Sequence, residues 1–577
     1  MNLQSSLKTF FSNLRKKRII EILAAFIGGG WLIIEFVDRI LVAHYHFSDK
    51  TIDITFITLL CALFCTLIWR WFSGREAPRK FKLELVLIPL VVLITVLLNI
   101  NLLLHLKSPE SETFPTPKWK NSIAVLPFVD MSPQKDQDWF CDGITDEIIG
   151  RLSNISELKV PARTSVFFFK GKERDVREIG KRLGVATVLE GSIQKVETKL
   201  RARVQLINIA DGFHVWSEEY DRELRDIFAI QDEIALAVAD KLKLTLLSDE
   251  KVRLVKRHTA NPMAYEAYLK GRYYMNKRTR DGMNKGRKYF ERAIEIDPIY
   301  AQAYAGLADY YGLSVYYANI LPEDGYAKEK VAVLRALEID EENAEAHASL
   351  GLELEFEFDW PNAERELKRA IELNPNLSSA HSAYGSFLAG VGRFNQVLKE
   401  IRRAQELDPL STLVHAGGGF YLFMAHEYDL AIEQARKALE LDPDYAIAHL
   451  VLGAAYRQKG ILGEAIVECQ EAVEHSSGIT MTLSALGSAY ASAGKKSEAL
   501  NILGQMIQLS KERYISALDM TLIYTSLGEK DKALEWMERA YEEHSGQIIY
   551  AKVDPRLDPL RSDPRFQGIL RRMNFPE

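Results

Sequence analysis

The sequence predicts a multidomain protein: a three-helix transmembrane segment, a small α/β domain and an all-α solenoid of helical hairpins. Three observations predict it. Apolar runs of spanning length crowd the first hundred residues. Strand and helix patterns alternate between about 120 and 250. In the second half Gly351, Gly385, Gly419, Gly453 and Gly487 recur every 34 residues, with Gly271 and Gly306 ahead of them. Glu-Leu-Asn-Pro at 372–375 and Glu-Leu-Asp-Pro at 406–409 and 440–443 keep the same interval.

The membrane reading comes first in chain order. Runs at 19–41, 52–71 and 83–106 are each near the ~20 apolar residues a helix needs to cross a hydrocarbon core. The first contains Glu21 and Glu35 and is followed by further spans, so it reads as an anchor and not as a cleaved leader. Lys8, Arg15, Lys16, Lys17 and Arg18 before it, and Arg70, Arg75, Arg79, Lys80 and Lys82 in the second loop, outnumber Arg39 and Lys50 in the first loop. That bias puts the 1–18 tail in the cytoplasm and everything after the third span of 19–106 on the opposite side. Ala24, Ala25, Gly28, Gly29 and Gly30 suit close helix packing, either within the segment or at a homo-oligomer seam.

Residues 107–119, with Ser108, Pro109, Ser111, Pro115 and Pro117, read as a polar linker. The α/β domain is placed at 120–250. Its first strand is 123–128, and Phe140, Ile144, Ile148 and Leu152 then mark one face of a helix. A short strand at 158–160 precedes a helix capped by Asp175 and stopped by Gly184. Strands follow at 185–196, 200–206 and 213–217, the last after an Asp211-Gly212 turn, and an amphipathic helix closes the domain through Ile227, Ile230, Ile234, Val238 and Leu242.

Ile123-Ala-Val-Leu-Pro-Phe128, Phe140-Cys-Asp-Gly-Ile-Thr-Asp-Glu147, Ala162-Arg-Thr-Ser165, Val188-Leu-Glu-Gly-Ser192 and Trp216-Ser-Glu-Glu-Tyr-Asp-Arg222 resemble the TolB amino-terminal-like (FlgO-like) domain. The resemblance implies a bacterial signalling or regulatory protein in which this domain is joined to tetratricopeptide repeats. It places the chain in the inner membrane as a multi-pass protein, with the amino terminus cytoplasmic and the carboxy-terminal domains periplasmic. Relatives often carry a cytoplasmic output domain, for which the 18-residue tail is too short.

The 34-residue period is that of the tetratricopeptide repeat, and about eight units are read over 251–545. The column glycines, together with Ala363, Ala431, Ala465, Ala499 and Ala533 twelve residues on, let paired helices approach closely. The first two units are irregular, with an insertion around Leu321-Pro-Glu-Asp-Gly325. Concave-face candidates include Glu345, Glu355, Ser382, Ser386, Phe420, Phe423, Arg457, Ser484 and Ser488. Of these, Phe420, Phe423, Arg457 and Glu355 are the expected partner-binding residues, since exposed aromatics with arginine are frequent hot spots. The alternative is that the two phenylalanines pack against the small domain or the carboxy-terminal segment. Asp554-Pro555 and Asp563-Pro564 each place an N-cap before a proline, so 546–577 reads as a cap over the solenoid's end.

A formal net charge of −6 gives no electrostatic case for nucleic acid. The four cysteines form neither a disulfide framework nor a zinc pattern. Asp142, Asp146 and Glu147 form an acidic string without an accompanying histidine, so no catalytic residue, cofactor or metal is expected. The expected function is a non-enzymatic, membrane-anchored scaffold or assembly factor that binds protein or peptide partners. The alternative is a sensory or regulatory subunit whose output domain lies on another chain.

Overall fold

The computed structural model describes residues 58–63, 65–66, 119–172, 174–317, 321–476 and 478–576. The chain divides into two compact units, 1–113 and 114–577. In the first, residues 58–63 and 65–66 are helical. The expected tail, linker and three spans otherwise lie outside the described residues. Among the described residues no helix is long and apolar enough to cross a membrane. This corrects both the expected three-helix transmembrane fold class and the expected multi-pass inner-membrane location. Among the described helices Pro322–Ile339 reaches 18 residues, but these include Glu323, Asp324, Lys328, Glu329, Lys330, Arg335 and Glu338. So many charges exclude a hydrocarbon core. The fold is a mostly helical repeat solenoid with a small sheet domain.

The sheet is mixed, in the order β1-β3-β4-β5. Strands β1 (Ile123–Val125) and β2 (Val129–Asp130) pair in parallel with successive stretches of β3 (Thr187–Val196). The expected strand at 123–128 breaks around Pro127, which has no N–H for the ladder. Strand β4 (Lys199–Asn208) pairs antiparallel with β3, and β5 (His214–Glu223) antiparallel with β4. The last strand runs past the expected Ser217, and the expected strand at 158–160 is only a bridge between Ser122 and Lys159. Gly191 is required where β3 crosses Phe128, since an added Cβ would stand 2.6 Å from the Arg203 carbonyl oxygen.

Helices Asp138–Ser153, Val176–Leu183 and Ile227–Lys241 accompany the sheet. The Asp175 carboxylate accepts from the Arg177 amide, and Gly184 ends its helix at φ 69°. The core is continuous with the array: Ile144, Ile148, Leu152 and Ile234 share one cluster with Tyr265, Tyr268, Leu269 and Phe290.

Eight hairpins follow: Pro262–Met275 with Arg280–Ile296, Ala301–Tyr317 with Pro322–Ile339, Ala344–Phe356 with Trp360–Leu373, and Ser378–Val391 with Phe394–Leu407. The rest are Thr412–Met424 with Tyr428–Leu441, Ala446–Gln458 with Leu462–His475, Thr480–Ser492 with Lys496–Leu509, and Ala517–Ser526 with Lys530–Glu542. The small-residue columns explain the close packing. Ala363, Ala431, Ala465, Ala499 and Ala533 are all fully buried. Beyond the last hairpin come two 3-10 turns, Gly546–Tyr550 and Pro555–Leu560, and the helix Pro564–Arg572. Asp554 and Asp563 cap the last two, accepting from the Arg556 and Arg565 amides.

Candidate functional site

The four-residue motif that marks each repeat boundary is where the small domain docks. In the first of these turns Asn374 Nδ2 donates to Ser153 Oγ at 3.0 Å. Asn376 Nδ2 reaches the carbonyl oxygens of Ser153, Ile155 and Leu158 at 2.9, 3.2 and 2.9 Å. In the next turn Ser165 Oγ donates to Asp408 Oδ1 and accepts from the Leu410 amide, while the Ala162 amide donates to the Leu407 carbonyl at 2.7 Å. Apart from the partly buried Ala162, all of these residues are buried, so each bond removes an otherwise costly unpaired group. Burial pushes the Asp408 carboxyl up to about 6, against the pull of its Ser165 and Ser411 hydrogen bonds.

The acidic string belongs to a second seam between the small domain and the array. Asp142 pairs with Lys170 at 2.6 Å, and Asp146 pairs with Arg272 of the first hairpin at 3.1 Å. Arg163 lies 3.9 Å from Asp142 and 3.8 Å from Asp146, and Arg272 extends to Glu345 at 3.5 Å. Glu147 is pushed up to about 7 by burial. Among the described residues no group of His, Cys, Asp and Glu is arranged to hold a metal ion.

A histidine column runs through the array at the glycine period, and the sequence reading passed over it. His347, His381, His415 and His449 each point Nδ1 at the residue nineteen positions on: Glu366, Glu400, Gln434 and Glu468, at 2.6, 2.7, 3.1 and 2.7 Å. Each points Nε2 at a carbonyl oxygen six positions back, of Glu341, Pro375, Pro409 and Pro443. Each ring thereby ties both helices of its hairpin to the turn before it.

The four expected partner-binding residues lie against, or in the same column as residues beneath, residues 544–575. Phe420 is partly buried, its ring edge-on to Tyr550 at 5.2 Å. Phe423 is only 1% exposed and lies 5.8 Å beneath the Arg556 guanidinium. Arg457 Nη1 donates to Ser526 Oγ at 3.0 Å. Glu355 is fully buried, and neither carboxyl oxygen has a hydrogen-bond partner. The described conformation is therefore the one in which the phenylalanines pack against the carboxy-terminal segment. Ser386 Oγ also bonds the Tyr550 hydroxyl at 2.6 Å, and Ser484 Oγ donates to the Asp519 carbonyl. Farther along, Trp360 Nε1 donates to the Met573 carbonyl at 2.8 Å and its ring stacks on Phe575.

Residues 119–236 match the family model described as HilA/YgeH-like transcriptional regulator, second domain. That match stands where a TolB amino-terminal-like (FlgO-like) domain was expected. A protein of Rhizobium meliloti (strain 1021) named "Putative adenylate cyclase 3" is 41% identical over 189 residues, which is 33% of this chain and 32% of that protein. The chain thus spans about a third of the length of the curated relative it matches. Among solved structures, YrrB, described as a TPR protein with an unusual peptide-binding site, is 21% identical, covering 34% of this chain and 95% of its own, with a TM-score of 0.24. PilW, described as a widely conserved type IV pilus biogenesis factor, is 16% identical, covering 36% of this chain and 91% of its own, with a TM-score of 0.30. Superpositions this loose carry no argument about a ligand. Residues 426–474 match the TPR repeat model, and with the in-phase hairpins on either side they make the helical array one of TPR repeats.

Proposed function

We propose that this protein is an interaction scaffold that binds a protein or peptide partner through its TPR array. One observation carries the reading. The small domain is bonded into the repeat turns at Asn374, Asn376 and Asp408. Joined by buried hydrogen bonds, the sheet domain and the middle hairpins form a stiff frame, which favours presenting a surface over opening and closing a catalytic cleft. A second reading, a regulatory subunit whose output domain lies on another chain, is favoured by the names that match, a transcriptional-regulator family model and a protein named "Putative adenylate cyclase 3".

The test is photocrosslinking of the full chain in intact cells from exposed array positions such as Leu413 and Val467, followed by identification of the attached chains. A single heterologous partner, recovered again with purified components, is the expected result. Self-adducts alone would reject a scaffold. Conversion of ATP by the purified full chain, lost on replacing one polar residue of the 119–236 segment, would replace it with an enzyme.

A further inference from the structure

One face of the array is covered by the chain itself. Running from His544 to Phe575, the polypeptide meets the third hairpin at the Phe356 carbonyl and the Phe358 and Trp360 rings. It meets the fourth at Ser386 and the fifth at Phe420 and Phe423. Beneath it stands one column at 34-residue spacing: Glu355, Ala389, Phe423 and Arg457.

The segment serves this column unevenly. Arg556 covers the Phe423 ring, and burial together with the like charge of Arg556 holds Arg457 down to about 10, against the weaker pull of Asp554, which is itself paired with Arg556. Next to Ala389, Gly390 leaves room for the Ile549 carbonyl, which a Cβ there would meet at 3.1 Å. Glu355 alone receives nothing. Its helix packs on Gly546–Tyr550, and Leu354 and Phe356 on either side share a cluster with Ile549 and Tyr550. Yet both carboxyl oxygens are buried and without partners. Burial alone pushes the carboxyl well above the usual carboxylate range, so the group is kept as a neutral acid whose hydrogen-bonding capacity goes unused. The column is complementary to a chain that is apolar over Ala389 and Phe423 and cationic at the Glu355 end. Residues 546–576 provide the first feature and bring no charge to Glu355.

We propose that residues 546–576 are an internal stand-in for a partner segment, and that the segment displacing them is an extended, mainly apolar peptide whose lysine or arginine pairs with Glu355. The assignment rests on reading the array as a partner-binding surface, and it adds the partner's chemistry. An isolated carboxyl and an incoming cation each gain from the other's charge in a dry groove, whereas the internal segment pays the desolvation of Glu355 without return.

The experiment uses the full chain carrying Ser386→Ala, which removes the Tyr550 hydrogen bond and loosens the internal segment. Two labelled peptides are offered, one with the sequence of residues 544–558 and one with Ile549→Lys in that sequence. Fluorescence anisotropy is expected to show the lysine peptide binding about tenfold tighter, the ratio one charge-assisted hydrogen bond produces. Adding Glu355→Gln to the Ser386→Ala chain should erase the preference while leaving the thermal midpoint in place. The infrared band of the protonated carboxyl should vanish when the lysine peptide binds. Equal affinities, a preference that survives Glu355→Gln, or binding of neither peptide would each overturn the assignment. Heterologous crosslinks persisting from Leu413 and Val467 in those cases would show that the scaffold stands and only the groove chemistry fails.

Discussion

Two glycines of one column should respond oppositely to the same substitution. Gly385→Ala and Gly453→Ala each replace a helix-interior glycine, which by propensity alone stabilises by about 0.8–1 kcal/mol. At Gly385 the nearest atoms to an added Cβ are Glu400 Cβ and Tyr421 Cδ2, both at 3.8 Å, an ordinary contact. The propensity gain should survive there almost whole. At Gly453 the added Cβ would stand 2.5 Å from Cys469 Sγ, 3.2 Å from the Ala465 carbonyl oxygen and 3.3 Å from the Cys469 amide. Cys469 is 1% exposed, so its sulfur has no room to withdraw and the two helices must part. Overpacking of this kind costs about 1–3 kcal/mol, leaving a net loss of roughly 1 kcal/mol. The two variants should differ by about 2 kcal/mol. Because repeat arrays open locally, the assay is native-state hydrogen exchange of helices 378–391 and 446–458, supported by urea midpoints. Equal changes at the two sites, or stabilisation by Gly453→Ala, would refute the packing argument.

The histidine column predicts a pH dependence. His449 faces two acceptors, the Glu468 carboxylate and the Pro443 carbonyl, and the Glu468 hydrogen bond raises its pKa above the ordinary value of 6.5. A folded value above the unfolded one contributes stability that is complete below about pH 6.5 and is lost as pH rises through the folded value. Thermal midpoints measured across that window should fall with pH in the parent and flatten in His449→Gln. At the docking turn, Asn376→Ala strips the Ser153, Ile155 and Leu158 carbonyls of their donor. The loss, about 1–3 kcal/mol for buried unsatisfied acceptors, should appear as faster amide exchange throughout 119–236, with the array's far hairpins unchanged. Trp360→Phe removes the hydrogen bond to Met573 while keeping an aromatic ring on Phe575. Proteolytic nicking within 546–576 should then rise without loss of the repeat helices.

Much of the array was legible because its packing is local. Each column glycine meets a residue of its own hairpin or of a neighbouring one, so the spacing alone locates the helices. The histidines carry the same period and could have been found by the same count; what hid them is that a polar residue in a helical repeat reads by default as surface. The acidic string was legible as a cluster without a histidine, but its partners Lys170, Arg163 and Arg272 come from other places in the chain. Asn374 and Asp408 read as ordinary turn residues. Nothing in their neighbours announces that the small domain, more than two hundred positions earlier, supplies Ser153 and Ser165. The expected membrane spans rested on apolar run length, the Lys and Arg bias of their flanks and a family resemblance, and no described helix carries that reading.

By itself the sequence determined what depends on short-range spacing: the repeat period, the hairpin unit, the caps at Asp175, Asp554 and Asp563, and which residues share a column. Only the tertiary structure decided what each column faces. Packing after the last hairpin brings residues 544–575 across the third, fourth and fifth hairpins, more than a hundred positions earlier in the chain, covering Phe420 and Phe423 and leaving Glu355 dry and unpaired. The opposite environments of Gly385 and Gly453 have the same origin: the two positions are identical in sequence pattern, and how closely the partner helix of the hairpin approaches, with Cys469 Sγ at 2.5 Å from an added Cβ at Gly453 and nothing nearer than 3.8 Å at Gly385, is set by packing in space.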